Sequence, residues 1–308
     1  MKQDYIELKV NRDFGDIISV YFDFFKQNIK KFTNIFINYN GIFLIALLII
    51  SYLLVSGFIG LITATRGSYN SSVIADESYL IYLIIGGTLF FVVFLVLAAL
   101  NYGLSTSYMV NYENSKGNNF EKQVVWKLIK QKFGSIILFI LLLIPIYIVF
   151  FIISMILAFI PLLGALAQYV ISFFIGAWVG VSFFSMLYEN RDVTNAYGEG
   201  WKLVTKNFWK SIGVNFILGL LIGLLLMIVL MIPGIIVGIY TFHAVQTDVI
   251  IAESVFAKVV YTFGTCLILI TMVYSQCLSQ FINGILFFNL HEKEYNINTR
   301  SKIEQIGQ

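Results

Sequence analysis

The sequence predicts an all-α integral membrane protein of six transmembrane helices, arranged as three repeated hairpin units, each preceded by an amphipathic interfacial helix. Three observations predict it. From Phe43 onward the chain holds six long stretches without Asp, Glu, Lys or Arg, its charge collects in alternate connections, and those connections carry near copies of one motif. Apolar residues make up 59% of the chain and charged residues 12%, which leaves no room for a sizeable water-soluble domain.

The spans are expected at about 42–63, 79–110, 134–160, 161–188, 211–242 and 259–290. Each reaches the roughly 20 residues a helix needs to cross a bilayer. Only helices and closed barrels satisfy their backbone polar groups in lipid, and these runs are continuously apolar rather than alternating. Orientation follows from the cations, because cytoplasmic loops are enriched in Lys and Arg. Six precede the first span, five separate the second from the third, four separate the fourth from the fifth, and three follow the sixth. The remaining connections hold only Arg66 and Lys258, so eighteen of twenty cations lie on one side and both termini are placed in the cytoplasm. Asp4, Glu7, Asp13 and Asp16 stand where a signal peptide has its apolar core, so no cleaved signal is expected.

The repeat shows in paired motifs. Trp126-Lys127-Leu128-Ile129, Phe133 and Ser135-Ile136 precede the third span; Trp201-Lys202-Leu203-Val204, Phe208 and Ser211-Ile212 precede the fifth. Tyr112-Glu113-Asn114 follows the second span and Tyr188-Glu189-Asn190 the fourth. The units run 1–117, 118–195 and 196–308, each with two spans, and an even number of spans makes the repeats parallel. Inverted repeats, the pattern behind many alternating-access carriers, are not what this spacing describes.

The segment before each hairpin has helical spacing. In the first, Phe14, Ile17, Ile18, Tyr21, Phe22, Phe25, Ile29 and Phe32 share a face, with Asp16, Asp23, Lys26, Lys30 and Lys31 away from it. Val124, Val125, Leu128, Ile129 and Phe133 form the face of the second, and Val193, Tyr197, Trp201, Val204 and Phe208 that of the third. Such helices are expected in the headgroup plane, apolar side down and Lys toward anionic lipid. Trp126, Lys127, Trp201, Lys202 and Phe208 are the candidate docking residues for a partner or lipid.

The spans contain no ionisable acid or base, the usual mark of a pathway or proton relay. Their amides are Asn101, Gln168, Asn215, Gln276, Gln280 and Asn283, and helix-to-helix hydrogen bonding is the expected role. Gln276, Gln280 and Asn283 fall on one stripe of the last helix and form the candidate intramembrane polar stripe. Gly176 with Gly180, and Gly219 with Gly223, have the spacing of close helix packing. Pro233-Gly234 is expected to end or bend the fifth span, with residues 235–252 as an alternative short seventh.

Catalytic and cofactor chemistry has no visible constellation. Cys266 and Cys277 lie about three helical turns apart without a His or carboxylate beside either, and read as packing residues. His243, Asp248 and Glu253 follow steps of five that put them on no common helical face. Two His residues, with no Ser or Cys expected beside either together with an orienting carboxylate, leave no nucleophile and base. No enzyme activity, cofactor, metal or nucleic-acid partner is expected.

The run Tyr188-Glu189-Asn190, Ala196, Trp201-Lys202-Leu203, Asn207-Phe208-Trp209 and Ile232-Pro233-Gly234-Ile235 resembles the membrane domain attached to some bacterial glycerophosphodiester phosphodiesterases, and found in related stand-alone membrane proteins. The likeness covers mainly residues 185–255, and the catalytic barrel of the phosphodiesterase is absent here. It implies a bacterial cytoplasmic (inner) membrane location. Some stand-alone members are encoded beside MoxR-type ATPases, which implies a membrane-protein partner. The reading is a non-enzymatic scaffold or assembly subunit of a membrane complex in the lipid bilayer. The alternative is a transporter or channel for an uncharged or lipid-like solute.

Overall fold

The computed structural model describes residues 5–67, 78–246 and 254–306. Among them the secondary structure is helical, without a strand: α1 (Phe14–Gly67), α2 (Ser78–Asn114), α3 (Lys122–Gln131), α4 (Phe133–Leu157), α5 (Leu163–Tyr188), α6 (Val193–Lys206), α7 (Phe208–Gln246), α8 (Val255–Tyr295) and α9 (Ile297–Ile306). The six helices α1, α2, α4, α5, α7 and α8 are long and apolar enough to cross a membrane, and the protein is a multi-pass membrane protein. None of the most apolar stretch of α7 is buried within the protein; Met227, Ile228 and Ile232 stand open on its surface, as side chains meant for lipid do.

Several boundaries differ from the sequence expectation. The first interfacial helix is not a separate element, because α1 runs unbroken from Phe14 to Gly67. It contains no proline and no long polar break, so nothing interrupts its backbone ladder. α3 and α6 are separate, each divided from the following span by a single residue, Lys132 and Asn207. Asn207 caps its own break by donating from Nδ2 to the Leu203 carbonyl (3.0 Å).

Between α4 and α5 the chain turns over residues 158–162, where Leu162 takes a left-handed φ of 59°. Ile160 precedes Pro161 and is pushed away from helical geometry. Gly164 sits so close to the end of α4 that a Cβ there would lie 1.9 Å from the Leu157 carbonyl oxygen. No side chain fits at that position, so the glycine sets the tightness of the turn.

Pro233 does not end its helix: α7 continues to Gln246, so residues 235–246 belong to it and form no seventh span. A proline removes one backbone hydrogen bond, whereas ending a helix inside lipid exposes several polar groups. Residues 247–253, Asp248 and Glu253 included, lie outside the described residues. His243 is exposed in the last turn of α7.

The described chain divides into two compact units. One comprises Met1–Phe36, Ala99–Leu220 and Gln276–Gln308; the other comprises Ile37–Ala98 and Leu221–Ser275. The first holds eighteen of the twenty Lys and Arg of the sequence, and the second holds Arg66 and Lys258. In the second unit, α1 and α2 approach at glycines: a Cβ on Gly57 would meet the Leu83 side chain at 2.6 Å, and one on Gly60 would meet Tyr79 at 2.5 Å. Small residues at such crossings let backbones come into van der Waals contact, which is the main attraction between helices in lipid.

The first unit is built around aromatic clusters. Phe32 and Phe281 meet edge to face at 4.5 Å, with Phe24 and Tyr108 against them. Phe139 stacks on Tyr197 at 4.3 Å and meets Phe183 at 5.0 Å. Each such pair contributes roughly 0.5–1.5 kcal/mol beyond its buried area. The buried stripe of α1 is Ile17, Tyr21, Phe24, Asn28, Phe32 and Ile35, while Phe14 and Phe22 are exposed. The expected face is therefore rotated, because Asn28 enters the core by donating to the Phe24 carbonyl and accepting from the Tyr108 hydroxyl, both at 2.8 Å.

Candidate functional site

The polar stripe of α8 is the centre of the candidate site, and the fold seats it against α2, α5 and α7. Gln276 accepts through Oε1 from Asn101 Nδ2 of α2 at 2.9 Å. One turn on, Gln280 is fully buried and donates from Nε2 to Thr106 Oγ1 at 2.8 Å, with the Gly180 carbonyl of α5 at 3.4 Å. A turn further, Asn283 accepts from Asn215 Nδ2 of α7 at 3.0 Å and donates to the Gly176 carbonyl at 3.3 Å. The stripe thus joins four helices within one unit, which is what amides do where lipid offers no alternative partner.

Glycine spacing makes this possible on α5. A Cβ on Gly180 would lie 2.4–2.6 Å from the side chain of Asn283, so only glycine leaves room for the amide. Gly176, one turn earlier, presents its carbonyl to the same residue. On α7, Gly219 lies beside Phe173, but Gly223 has open space around it and is no packing position. Of the remaining amides, Gln168 is exposed on α5 and lies apart from the stripe. One atom of the stripe stays unsatisfied: Gln280 Oε1 is buried without a hydrogen-bond partner among the described residues.

A second polar layer lies at the helix ends of the same unit. Glu113, at the end of α2 and 1% exposed, accepts from the Tyr5 hydroxyl (2.5 Å) and Lys116 (2.9 Å), with Lys9 at 3.6 Å. Glu189, its counterpart in the second Tyr-Glu-Asn motif, accepts from Ser185 Oγ (2.6 Å) and Arg191 Nε (2.8 Å), and faces His291 Nε2 (2.9 Å). Burial alone pushes the Glu189 carboxyl up; the hydrogen bonds from His291, Arg191 and Ser185 more than offset this and bring it down to about 2. Glu292 accepts from the backbone N–H groups of Asn298 (3.0 Å) and Thr299 (2.9 Å), which caps the start of α9.

The fold does bring a Ser, a carboxylate and a His together, against the sequence expectation. Their order is not that of a nucleophile and its base. Ser185 directs its single hydroxyl proton at Glu189, and His291 meets that same carboxylate, so the carboxylate stands in the middle. No group of three or more His, Cys, Asp or Glu suited to a metal ion exists among the described residues. Cys266 and Cys277 are buried free thiols.

Residues 5–13 form an extended strap that the sequence pattern did not single out. Leu8 is wholly buried. Asn289 Nδ2 donates to the carbonyls of Val10 (3.2 Å) and Arg12 (3.1 Å), and Asn298 Nδ2 donates to Glu7 Oε1 and the Lys9 carbonyl (2.8 Å each). Lys210 reaches the Arg12 carbonyl (2.8 Å), and Lys302 pairs with Glu7 (2.6 Å). The strap ties α7, α8 and α9 of this unit to the chain's first residues.

Trp126 is half-buried and Lys127 exposed on α3, whose Val125 and Ile129 pack inward; Ser107 of α2 donates to the Val125 carbonyl at 2.7 Å. On α6, Val193, Ala196, Tyr197, Gly200, Leu203 and Val204 are buried, and the helix packs on α5. Gly200 permits this, since a Cβ there would meet Ser182 Oγ at 2.0 Å. Trp201 stays half exposed against Phe174 and Trp178, and Phe208 rests on Phe174. Lys202, 40% exposed, pairs with Glu294 (3.1 Å) and bonds the Tyr295 hydroxyl (2.8 Å).

The chain matches no family model, and searches of curated proteins and of solved structures give no significant match.

Proposed function

We propose that this protein is a non-enzymatic scaffold or assembly subunit of a complex in a bacterial cytoplasmic membrane, with both termini in the cytoplasm. The observation that carries the reading is the commitment of the buried amides. Asn101, Asn215, Gln276 and Asn283 bond to one another or to backbone across four helices, so the polar groups at membrane depth hold the bundle together. The strap and the glutamates of the helix ends add a fixed polar layer in the same unit.

On this reading the three hairpin units, 1–117, 118–195 and 196–308, present a platform to a membrane-protein partner, and the bilayer surrounds them. Lys127 and the half-exposed Trp201 are the groups nearest to serving such a partner, with Trp126 next to Lys127 on α3; Lys202 is tied to Glu294 and Tyr295, and Phe208 to Phe174. The likeness of residues 185–255 to the stand-alone membrane proteins supports a partner of this kind. In-cell crosslinking from Lys127 should capture one membrane protein at fixed stoichiometry, and Trp126→Glu with Trp201→Glu should abolish the capture. Equal capture by the double variant would overturn the reading.

The unpartnered Oε1 of buried Gln280 favours a second reading, a carrier for an uncharged or lipid-like solute that bonds there. That reading requires Gln276→Leu with Gln280→Leu to abolish flux in liposomes while the fold persists.

A further inference from the structure

The first unit contains an open cavity of about 1030 Å³ between α1, the end of α2 and the loop that leads to α3. Its wall is chemically one-sided. Lys30, Lys31, Asn34, Asn118, Asn119 and Phe120 line it, and none of its lining residues is acidic. Glu113, which follows the lining residue Tyr112, is already occupied by Tyr5, Lys9 and Lys116. Lys31 is held in place by Asn119 Oδ1 (2.8 Å) and by the Phe120 ring (3.7 Å from its centroid). Lys30 and the side-chain amide of Asn34 have no hydrogen-bond or ion-pair partner among the described residues.

Two ammonium groups with surrounding amides and no opposing acid are suited to a phosphate, whose oxygens take charge-assisted bonds from Lys while amides bond neighbouring hydroxyls. The volume is at the upper end of the roughly 300–1,000 Å³ of small-molecule sites. Lys31 is also the last charge before the long uncharged run of α1, and Glu113 is the first after that of α2, so the cavity sits where charge gives way to lipid-facing sequence. That is the level of lipid headgroups.

We propose that this cavity binds a phosphate-bearing anion, with Lys30 and Lys31 on the phosphate and Asn34 and Asn118 on adjoining oxygens. The source is a membrane lipid headgroup or a soluble phosphate compound. The proposal stands apart from the scaffold reading, since it rests on the cavity alone.

The test is calorimetric titration of the detergent-purified full-length protein with dioctanoyl phosphatidylglycerol, dioctanoyl phosphatidylcholine and inorganic phosphate. Saturable binding of phosphatidylglycerol, or of phosphate, is expected at one site. Lys30→Gln should weaken it about tenfold or more, the scale of a lost charged hydrogen bond. Asn34→Leu should weaken it several-fold without changing net charge, and Lys130→Gln, on α3 outside the cavity, should leave it unchanged. All three positions are exposed, so the fold is retained. Saturation by phosphatidylglycerol without competition from phosphate assigns the lipid source, and full competition assigns the soluble one. Absence of saturable binding by all three probes, or equal weakening by Lys30→Gln and Lys130→Gln, overturns the proposal.

Discussion

Replacing Glu189 by Gln removes the carboxylate on which Ser185, Arg191 and His291 converge. The group falls from an ordinary 4.5 to about 2 on folding. A depression of that size corresponds to at most about 3 kcal/mol, and because Arg191 is 34% exposed the solvent-screened contribution is about 1–2 kcal/mol. The sign follows from the direction. A lowered carboxylate stabilises the fold fully above its unfolded value, and the stabilisation disappears as pH falls from about 4.5 toward 2. In a chain of this size each kcal/mol moves the unfolding midpoint by roughly 2–4 °C. Glu189→Gln should therefore unfold about 2–8 °C below the parent at pH 7 in detergent, followed by tryptophan fluorescence. The gap should narrow as pH falls below about 4.5 and close only toward pH 2. A gap of the same size at pH 7 and pH 3, or none at pH 7, would show that the Glu189 carboxylate does not stabilise the fold.

Gly180→Val should cost several kcal/mol, because even a Cβ collides with Asn283; loss of monodisperse protein in size-exclusion chromatography checks it. Gln280→Leu should change stability by about 1 kcal/mol or less, since similar volume is kept and an unpaired acceptor leaves the core along with one amide bond; unchanged thermal unfolding checks it. Leu8→Asp places a charge in a fully buried site and should free the strap, seen as rapid proteolysis after Lys9 or Arg12 in a chain that otherwise remains folded. Asn289→Ala removes two bonds to the strap and should raise the same cleavage less, by the effect of about 1 kcal/mol.

The membrane-spanning helices were legible because an absent charge is a local signal that needs no knowledge of partners. The stripe Gln276, Gln280 and Asn283 was legible for a similar reason, since steps of four and three set one face of a helix whatever lies opposite. What lies opposite was not: Asn101, Thr106 and Gly176 are about a hundred residues or more away along the chain. Spacing alone does not place Asn28 on the inward side of α1; that needs Tyr108, about eighty residues away, whose hydroxyl satisfies it. Pro233-Gly234 reads as an end or a bend of the span; the end is excluded, because the apolar sequence of α7 continues past it and outweighs one missing hydrogen bond.

The strap was invisible for a different reason. Residues 5–13 lack helical or strand periodicity, and their structure is held by backbone carbonyls that accept from Asn289 and Asn298. The repeated Tyr-Glu-Asn motif carried the missed signal for the glutamate layer. Two copies of a carboxylate at the same distance from a span pointed to a shared structural role, and Glu113 and Glu189 both collect basic and hydroxyl partners there.

If the buried amides only join helices, as proposed, the protein works by holding a partner. The most direct measurement is the mass and composition of the particle extracted in mild detergent from native membranes, with the protein at its natural level. A scaffold should run as a particle well above the 35.0 kDa of one chain with its detergent, containing a second membrane protein at fixed stoichiometry. A particle of this chain alone, active in moving a solute across liposomes, would contradict it.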